Sequence, residues 1–499
     1  MSASREKKKR QELLAGGASD PKTARAAEQK AAERRSAMLY TAGAVAFIVI
    51  AVALFVYNSG IFQRNQTAVT IDGENYNVAK TSYYYQQICG NYASMFGQEY
   101  LQTLKAQSYD DNRTWDDFFK EEAVNNMKFV HAAAKAAKAD GMTLDSDDNA
   151  TIQANVDSIK SAASAAGYSY GSYLKAVYGQ YMSGSVLKSC LEDQILASKY
   201  AAKHSEDNFV YTDDEIEAYY EEHKNSYDLV DGAYVTISGT PEAKTDADGN
   251  AVEATEEEKN VAMANAHLTA ESILAEVKNG ADLETVAGRY DEASYTGGAE
   301  MTTSTGVAGE WLFDESRKAG DAEILADEDN SRYYVAVFNG RQRNEALDYN
   351  VRHILITAEN LDLPDGETAT EEQLTAKAQE ILDGWDGTED GFATLAEQYS
   401  QDGGSNTNGG LYEDVPKGYM VAAFQDWCYE DGRQSGDTGV VYNASTGAHI
   451  MYFVGYGDTQ YWHYACENAL RSADSTEWQN SLIDSTSAVV NDAGMKNVG

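Results

Sequence analysis

Proline is scarce, four residues in 499, and no Ser/Thr/Pro-rich stalk or sorting tail appears. That argues against a surface adhesin or wall-associated scaffold. Cysteine is equally scarce. Cys89, Cys190, Cys428 and Cys466 are too few for a disulfide scaffold. Pairs 89–190 and 428–466 and free buried thiols all stay open. Metal-ligand patterns are missing too. His131, His204, His223, His267 and His463 are scattered, with no HExxH and no CxxC partner, so neither a metal nor a cofactor is expected. Bases are few against acids, 39 to 80. Ten of them fall in residues 1–37, which carry net +5, and the remainder carries −46. A surface so acidic argues against nucleic acid and against an anionic lipid face, and favours solubility or basic clients.

One long apolar run is present. Met38 to Tyr57 is a run of about 20 residues without charge, containing the apolar stretch Val45 to Val56, and the length of the whole run is enough to cross a bilayer as one helix. Its basic N-terminal flank predicts a cytoplasmic N-terminus and everything after Asn58 outside. No Ala-x-Ala follows the run, which favours an uncleaved anchor over a signal peptide. No cysteine follows it either, so lipoprotein processing is unsupported.

The remainder divides by pattern into a basic tail (1–37), the span (38–57), a linker (58–66), a helical body (67–229), two mixed segments (230–341 and 346–458) and a helical end (459–499). The body opens with a short strand and turn, Ala68 to Glu74. Helical runs follow at Ser82 to Ile88, Trp115 to Ala139, Asn149 to Ala165, Tyr170 to Met182 and Val186 to Lys203. Thr212 to Glu215 reads as a capping box. Tyrosines cluster here, among them Tyr83, Tyr84, Tyr85, Tyr168, Tyr170, Tyr173, Tyr178 and Tyr181. They suit either helix packing or a surface that binds unfolded chains.

The chemistry is concentrated between Tyr349 and Tyr456. Val351 to Ile356 alternates as a strand, with His353 and Leu355 on one face and Ile354 and Ile356 on the other. The capping box Thr370 to Gln373 opens a helix with Leu374, Ala378, Ile381 and Leu382 on its apolar side. A second helix, Phe392 to Tyr399, leads into Ser400-Gln401-Asp402 and a glycine-rich loop ending Gly409-Gly410-Leu411. A helix carrying Met420, Phe424 and Trp427 and a closing strand, Gly447 to Phe453, complete the segment.

In motif order and spacing this segment resembles the parvulin family of peptidyl-prolyl cis/trans isomerases. The shared elements are the His-Ile-Leu strand, the Phe-Ala-x-Leu-Ala helix, the Gly-Gly-Leu turn, Met-x-x-x-Phe and Gly-x-His-Ile. The resemblance implies His353, Asp402 and His449 as catalytic residues, Leu411, Met420 and Phe424 as the apolar proline pocket, and Thr446 as the hydroxyl before the second histidine. Residues 357–362 lack the basic cluster of phosphate-reading members, so phosphopeptide specificity is not expected.

The helical body resembles the chaperone region of extracytoplasmic foldases of the PrsA and SurA type. Residues 234–339 echo the isomerase pattern a second time. Ala270 to Leu274 parallels Ala378 to Leu382, Asp282 to Tyr290 parallels Gly391 to Tyr399, and Trp311 to Asp321 parallels Trp427 to Asp437. In that register Val235, Ala293, Ser304, Ala308 and Tyr333 replace His353, Asp402, Met420, Phe424 and His449. The copy is therefore expected to be inactive, with its acidic insert from Pro241 to Glu258 a solvated loop.

The expectation is an α+β multidomain chain. It would have a transmembrane helix, a SurA-N-like helical chaperone domain and two parvulin-like antiparallel sheets with surrounding helices, the first degenerate. The implied function is an isomerase and chaperone for unfolded exported polypeptides with X-Pro bonds, on the outer side of the cytoplasmic membrane. The competing function is a holdase that uses the fold only to bind. A homodimer is left open, as is a return of the C-terminal segment to the N-terminal body.

Overall fold

The computed structural model describes residues 4–5, 7–9, 11, 47–49, 61–246, 250–364 and 367–499. Apart from 47–49, the apolar run at 38–57 lies outside the described residues, as does most of the basic tail. Among the described residues no helix is long and apolar enough to cross a membrane. The chain divides into two compact units, residues 1–209 with 475–499, and residues 210–474.

The first unit begins with α1 (Ile61–Asn65) and a hairpin, β1 (Thr67–Ile71) and β2 (Glu74–Asn77). Its two-residue turn places both Asp72 and Gly73 at positive φ, 48° and 84°. That is the primed geometry whose twist matches paired strands, and an Asp-Gly pair tolerates it. The helices are α2 (Val78–Phe96), α3 (Gln98–Leu104), α4 (Trp115–Ala139), α5 (Ser146–Ala165), α6 (Tyr170–Tyr178) and α7 (Gly184–Asn208). Neighbours on several sides enclose α2, so the consecutive Tyr83, Tyr84 and Tyr85 are all buried. Their burial is compatible with their polarity because Tyr83 donates to Gln194 and Tyr85 to Asp116. Of the remaining clustered tyrosines, Tyr168 is exposed. The C-terminal segment returns to this unit, where the strand Ala488–Val490 pairs antiparallel with β1 on the side away from β2.

The second unit starts with α8 (Asp213–His223), opened by the expected Thr212–Glu215 capping box. Two four-stranded antiparallel sheets follow. The first contains β3 (Asp228–Ser238), then a small exposed hairpin, β4 (Lys244–Thr245) and β5 (Ala251–Val252), then α9 (Glu256–Lys278) and α10 (Leu283–Ala287). It is completed by β6 (Ala293–Met301), α11 (Gly306–Leu312), β7 (Asp321–Asp327) and β8 (Arg332–Arg343). The acidic insert thus holds a short hairpin and the first turn of α9, rather than being a loop throughout.

The second sheet comprises β9 (Leu347–Ile356), α12 (Glu371–Asp383), α13 (Glu389–Tyr399), β10 (Leu411–Val415), α14 (Ala422–Cys428), β11 (Thr438–Asn443) and β12 (Gly447–Gln460). The strand orders β6-β3-β8-β7 and β10-β9-β12-β11 are the same topology. A helix covers Tyr461–Ser485, within the helical end that the sequence pattern suggested. Within this unit its Trp462 and Cys466 pack on Ile216 and Tyr220 of α8. The Arg343 guanidinium stacks between the Tyr220 and Trp462 rings, 4.0 and 4.3 Å from their centres. All four cysteines are free and buried.

Candidate active site

The site is built on the two central strands of the second sheet. His353 of β9 lies opposite Met451 of β12, and Leu355 opposite His449. Cross-strand partners share a face, as do residues two apart. Tyr349, Val351, His353, His449, Met451 and Phe453 therefore occupy one face, packed by Phe424 and Cys428 of α14. Ile354, Ile356, Ala448 and Ile450 occupy the other, under Leu374, Ala378, Ile381 and Phe392 of α12 and α13. The expected alternation about His353 is what divides these two cores.

Both histidines are buried, 4 % and 5 % exposed. Their Nδ1 atoms are 3.3 Å apart. His353 Nε2 lies 2.9 Å from Asp402 Oδ2 and His449 Nε2 lies 2.8 Å from the Thr446 hydroxyl. Tyr412 donates to the same Asp402 oxygen at 3.0 Å, and Ser405 donates to it as well. One proton order satisfies every contact in the row. Thr446 donates to His449 Nε2, His449 Nδ1–H to His353 Nδ1, and His353 Nε2–H to Asp402.

Electrostatics agree with that order. The His353 hydrogen bond, supported by Ser405 and Tyr412, holds the Asp402 carboxyl well below the usual carboxylate range despite partial burial. Burial, then the neighbouring His353 ring, pushes His449 down to about 4, so it is neutral near pH 7. Burial and the Asp402 contact push the Tyr412 hydroxyl up to about 12, which keeps it a donor.

The Phe424 ring meets both histidines edge-on, with centroids 5.3 Å from His353 and 5.5 Å from His449. Met420 is half-buried against the same cluster. It sits in the bend before α14 rather than on the helix, which starts only at Ala422. Asp402 is positioned by its loop, whose Gln401 N–H bonds the Leu355 carbonyl at 2.9 Å. The loop returns to β9 through Gly410, at φ +73°. A Cβ there would lie 2.3 Å from the His353 carbonyl oxygen. Only glycine allows the loop to close onto the strand that carries the histidine.

Leu411 is a correction. Its cross-strand partner is Arg352, on the face under α12 and α13, so its side chain lies on the opposite side of the sheet from His353. Tyr412 pairs with Val351 and takes the position expected of Leu411. Its ring centroid is 5.4 Å from that of His353. Sequence reasoning missed Tyr412 and Ser405. Strand alternation counted back from His353 identifies neither, because their strand and loop lie about fifty residues away and the pairing register is set in three dimensions.

The register of the first sheet is also corrected. In the second, Val351 faces Phe453, and a bulge makes Asn350 face Gly455. In the first, Gly232 faces Phe338, and a bulge makes Asp231 face Gly340. The Phe453 and Phe338 carbonyls each accept a glycine N–H at 2.8 Å, from Gly436 and Gly320. The counterparts of His353 and His449 are therefore Tyr234 and Tyr334, not Val235 and Tyr333. Val235 packs in the core under α9, with Tyr333 beside it. Tyr412 corresponds to Gly298, Met420 to Ser304 and Phe424 to Ala308. The Asp402 loop has no counterpart, since β6 runs paired along β3 from Ala293 to Met301. Tyr234 and Tyr334 stand edge to face, 5.6 Å apart.

Residues 334–454 match the PPIC-type PPIASE domain family. No curated protein matches the chain. Among solved structures, the chain is similar to the peptidylprolyl isomerase PrsA of Bacillus anthracis at 20 % identity, covering 28 % of this chain and 59 % of that one, TM-score 0.20. It thus spans under two thirds of that structure's length. It is also similar to PrsA of Bacillus subtilis at 12 % identity, covering 79 % and 92 %, TM-score 0.28. A third likeness is to the SurA-like chaperones PEB4 and Cj1289 of Campylobacter jejuni, at 12 % identity, covering 84 % and 94 %, TM-score 0.19.

Proposed function

With a peptidyl-prolyl isomerase family match over residues 334–454 as the starting point, we propose that this chain is a parvulin-type isomerase and chaperone. Its clients would be unfolded exported polypeptides, met on the outer side of the membrane. The observation that carries the enzymatic half is the row Asp402–His353–His449–Thr446, its two imidazoles buried, with the Phe424 ring set edge-on against both of them.

Rotation about X-Pro crosses a barrier of about 18–20 kcal/mol, because resonance gives the C–N bond double-bond character. The twisted amide is less polar than the planar one. An apolar pocket at Phe424 and Met420 binds it better than the ground state, which is differential stabilisation of the transition state. Asp402 has its Oδ2 occupied by three donors and acts by orienting His353, not by touching substrate. The neutral His449 keeps the pocket free of a buried positive charge. Each drop of about 1.4 kcal/mol in the barrier gives a factor of ten in rate.

The chaperone half rests on the first unit. Met95, Phe96 and Tyr100 are exposed to 72, 51 and 49 %, the Phe96 and Tyr100 rings 6.0 Å apart. Adjacent apolar side chains left in water suit capture of unfolded segments. The first sheet is read as a non-catalytic copy, on the loss of both histidines and of the acid loop. Placement outside the membrane rests on the uncharged run at 38–57 and its basic flank.

The test is cis/trans exchange of a short X-Pro peptide by the full chain, measured by NMR. Turnover that falls on Asp402→Ala supports the reading. Absence of turnover together with suppression of client aggregation would replace it by the holdase.

A further inference from the structure

The first unit holds a cavity of about 330 Å³ between the β1–β2 hairpin and the faces of α4 and α7. Its inner wall is apolar, made by Met127, Val130 and Ala134 of α4. His131 lines it at 9 % exposure. Its Nδ1 is 2.8 Å from the Tyr76 hydroxyl, while its buried Nε2 faces an Asp72 carboxylate oxygen at 3.9 Å, too far for a hydrogen bond, and has no hydrogen-bond partner. A buried polar atom left unmet is costly and uncommon in a folded protein, and here it lies in the wall of a space large enough for a ligand group.

The same space adjoins a strand edge. β2 is the outer strand of its three-stranded sheet. Glu74 and Tyr76, two residues apart on β2, both line the cavity, which therefore lies on one face of that strand. An edge strand offers outward main-chain N–H and C=O groups to any extended chain laid beside it. Every second side chain of such a segment would point to the cavity face.

Charge at the rim selects the side chain. Asp72 accepts from Lys135 at 3.2 Å, Asp193 lies 3.8 Å from Lys138, and Glu74 approaches the His131 ring to 3.8 Å. Asp72 and Asp193 are already paired, with Lys135 and with Lys80 and Lys138, so an incoming carboxylate or ammonium has to compete with an ion pair already formed and gives up its hydration to do so. A neutral amide meets neither penalty. Because it carries both a donor and an acceptor, it completes His131 Nε2 in either tautomer.

We propose that this cavity is a socket for a glutamine or asparagine side chain carried by an extended polypeptide segment that pairs with β2. The proposal needs no isomerase activity, and X-Pro turnover measured on the same samples separates its failure from failure of that reading.

The experiment uses the full chain and fluorescent peptides of alternating Thr and Val with one central Gln. Counterparts carry Glu, Lys or Leu at that place, and a further Gln peptide is N-methylated along its pairing edge. The Gln peptide is expected to bind about tenfold tighter than the other three. N-methylation is expected to abolish binding, and the His131 imidazole ¹⁵N signal to move only with Gln. Equal binding of all four, binding that survives N-methylation, or an unmoved His131 signal would overturn the proposal. His131→Phe should remove the preference for Gln. Where that variant misfolds, the imidazole signal of the unaltered chain still decides.

Discussion

His449 Nδ1 lies 3.3 Å from His353 Nδ1, so the two rings can share one proton but cannot both be charged at that spacing without strong repulsion. The pair is therefore acid-sensitive. In the fold His449 titrates near 4, against an ordinary value of 6.5. Above pH 6.5 it is neutral folded and unfolded, and contributes no pH dependence. Between 6.5 and 4 the unfolded chain takes up a proton that the fold refuses, and stability falls by up to about 3 kcal/mol. Asp402, held below its ordinary range, adds a loss in the same direction as pH falls through that range. Urea midpoints of the second unit's transition in the full chain should be flat from pH 7 to 8.5 and decline from 6.5 downward. His449→Gln should flatten the 6.5–4.5 portion, and an unchanged slope would contradict the assignment.

Tyr412 acts through Asp402. Tyr412→Phe removes one of three donors on a single oxygen while keeping the ring beside His353. A loss of about three- to tenfold in kcat/KM is expected, with the acid limb of the pH profile moved upward because the carboxylate is held less firmly. Leu411→Ala, on the other face of the sheet, should leave KM unchanged. A KM effect from Leu411 and none from Tyr412 would restore the original pocket assignment.

Phe424 and Met420 should separate stability from binding. Phe424 is 1 % exposed and at the centre of its cluster. Phe424→Ala should cost about 3–5 kcal/mol of stability, seen as a lower denaturation midpoint. Met420 is half-buried at the edge, so Met420→Ala should raise KM for X-Pro peptides with a stability loss of about 1 kcal/mol. Equal destabilisation by both would mark Met420 as core only.

The first sheet should be silent in catalysis. Tyr334→Phe removes the hydroxyl that reaches Asp327 at 3.4 Å, and should leave kcat/KM within about twofold of wild type. A tenfold fall would mean that this copy feeds the prolyl site after all.

Local patterns in the sequence were sufficient for much of this molecule. The capping boxes at Thr212 and Thr370 mark helix starts, because the signal and the structure it causes lie within four residues. The alternation around His353 determines which neighbours face which core, because side-chain direction in a strand has period two. His353, Asp402 and His449 are named by their motifs, and the structure sets them in one row with His353 against both of the others.

What tertiary structure alone decided is register. Leu411 and Tyr412 are adjacent in the chain, and only the pairing of β10 with β9 sends Tyr412 to the histidine face and Leu411 away. The same single-residue step separates Tyr234 from Val235, and a bulge shared by both sheets sets it. The Asp402 clamp of Ser405 and Tyr412 likewise forms only once the glycine-rich loop has folded onto β9. A one-residue slip in a strand leaves composition and periodicity intact while exchanging the two faces of the sheet. The residue types are therefore set by the sequence, and their sidedness by the hydrogen-bond ladder between distant strands.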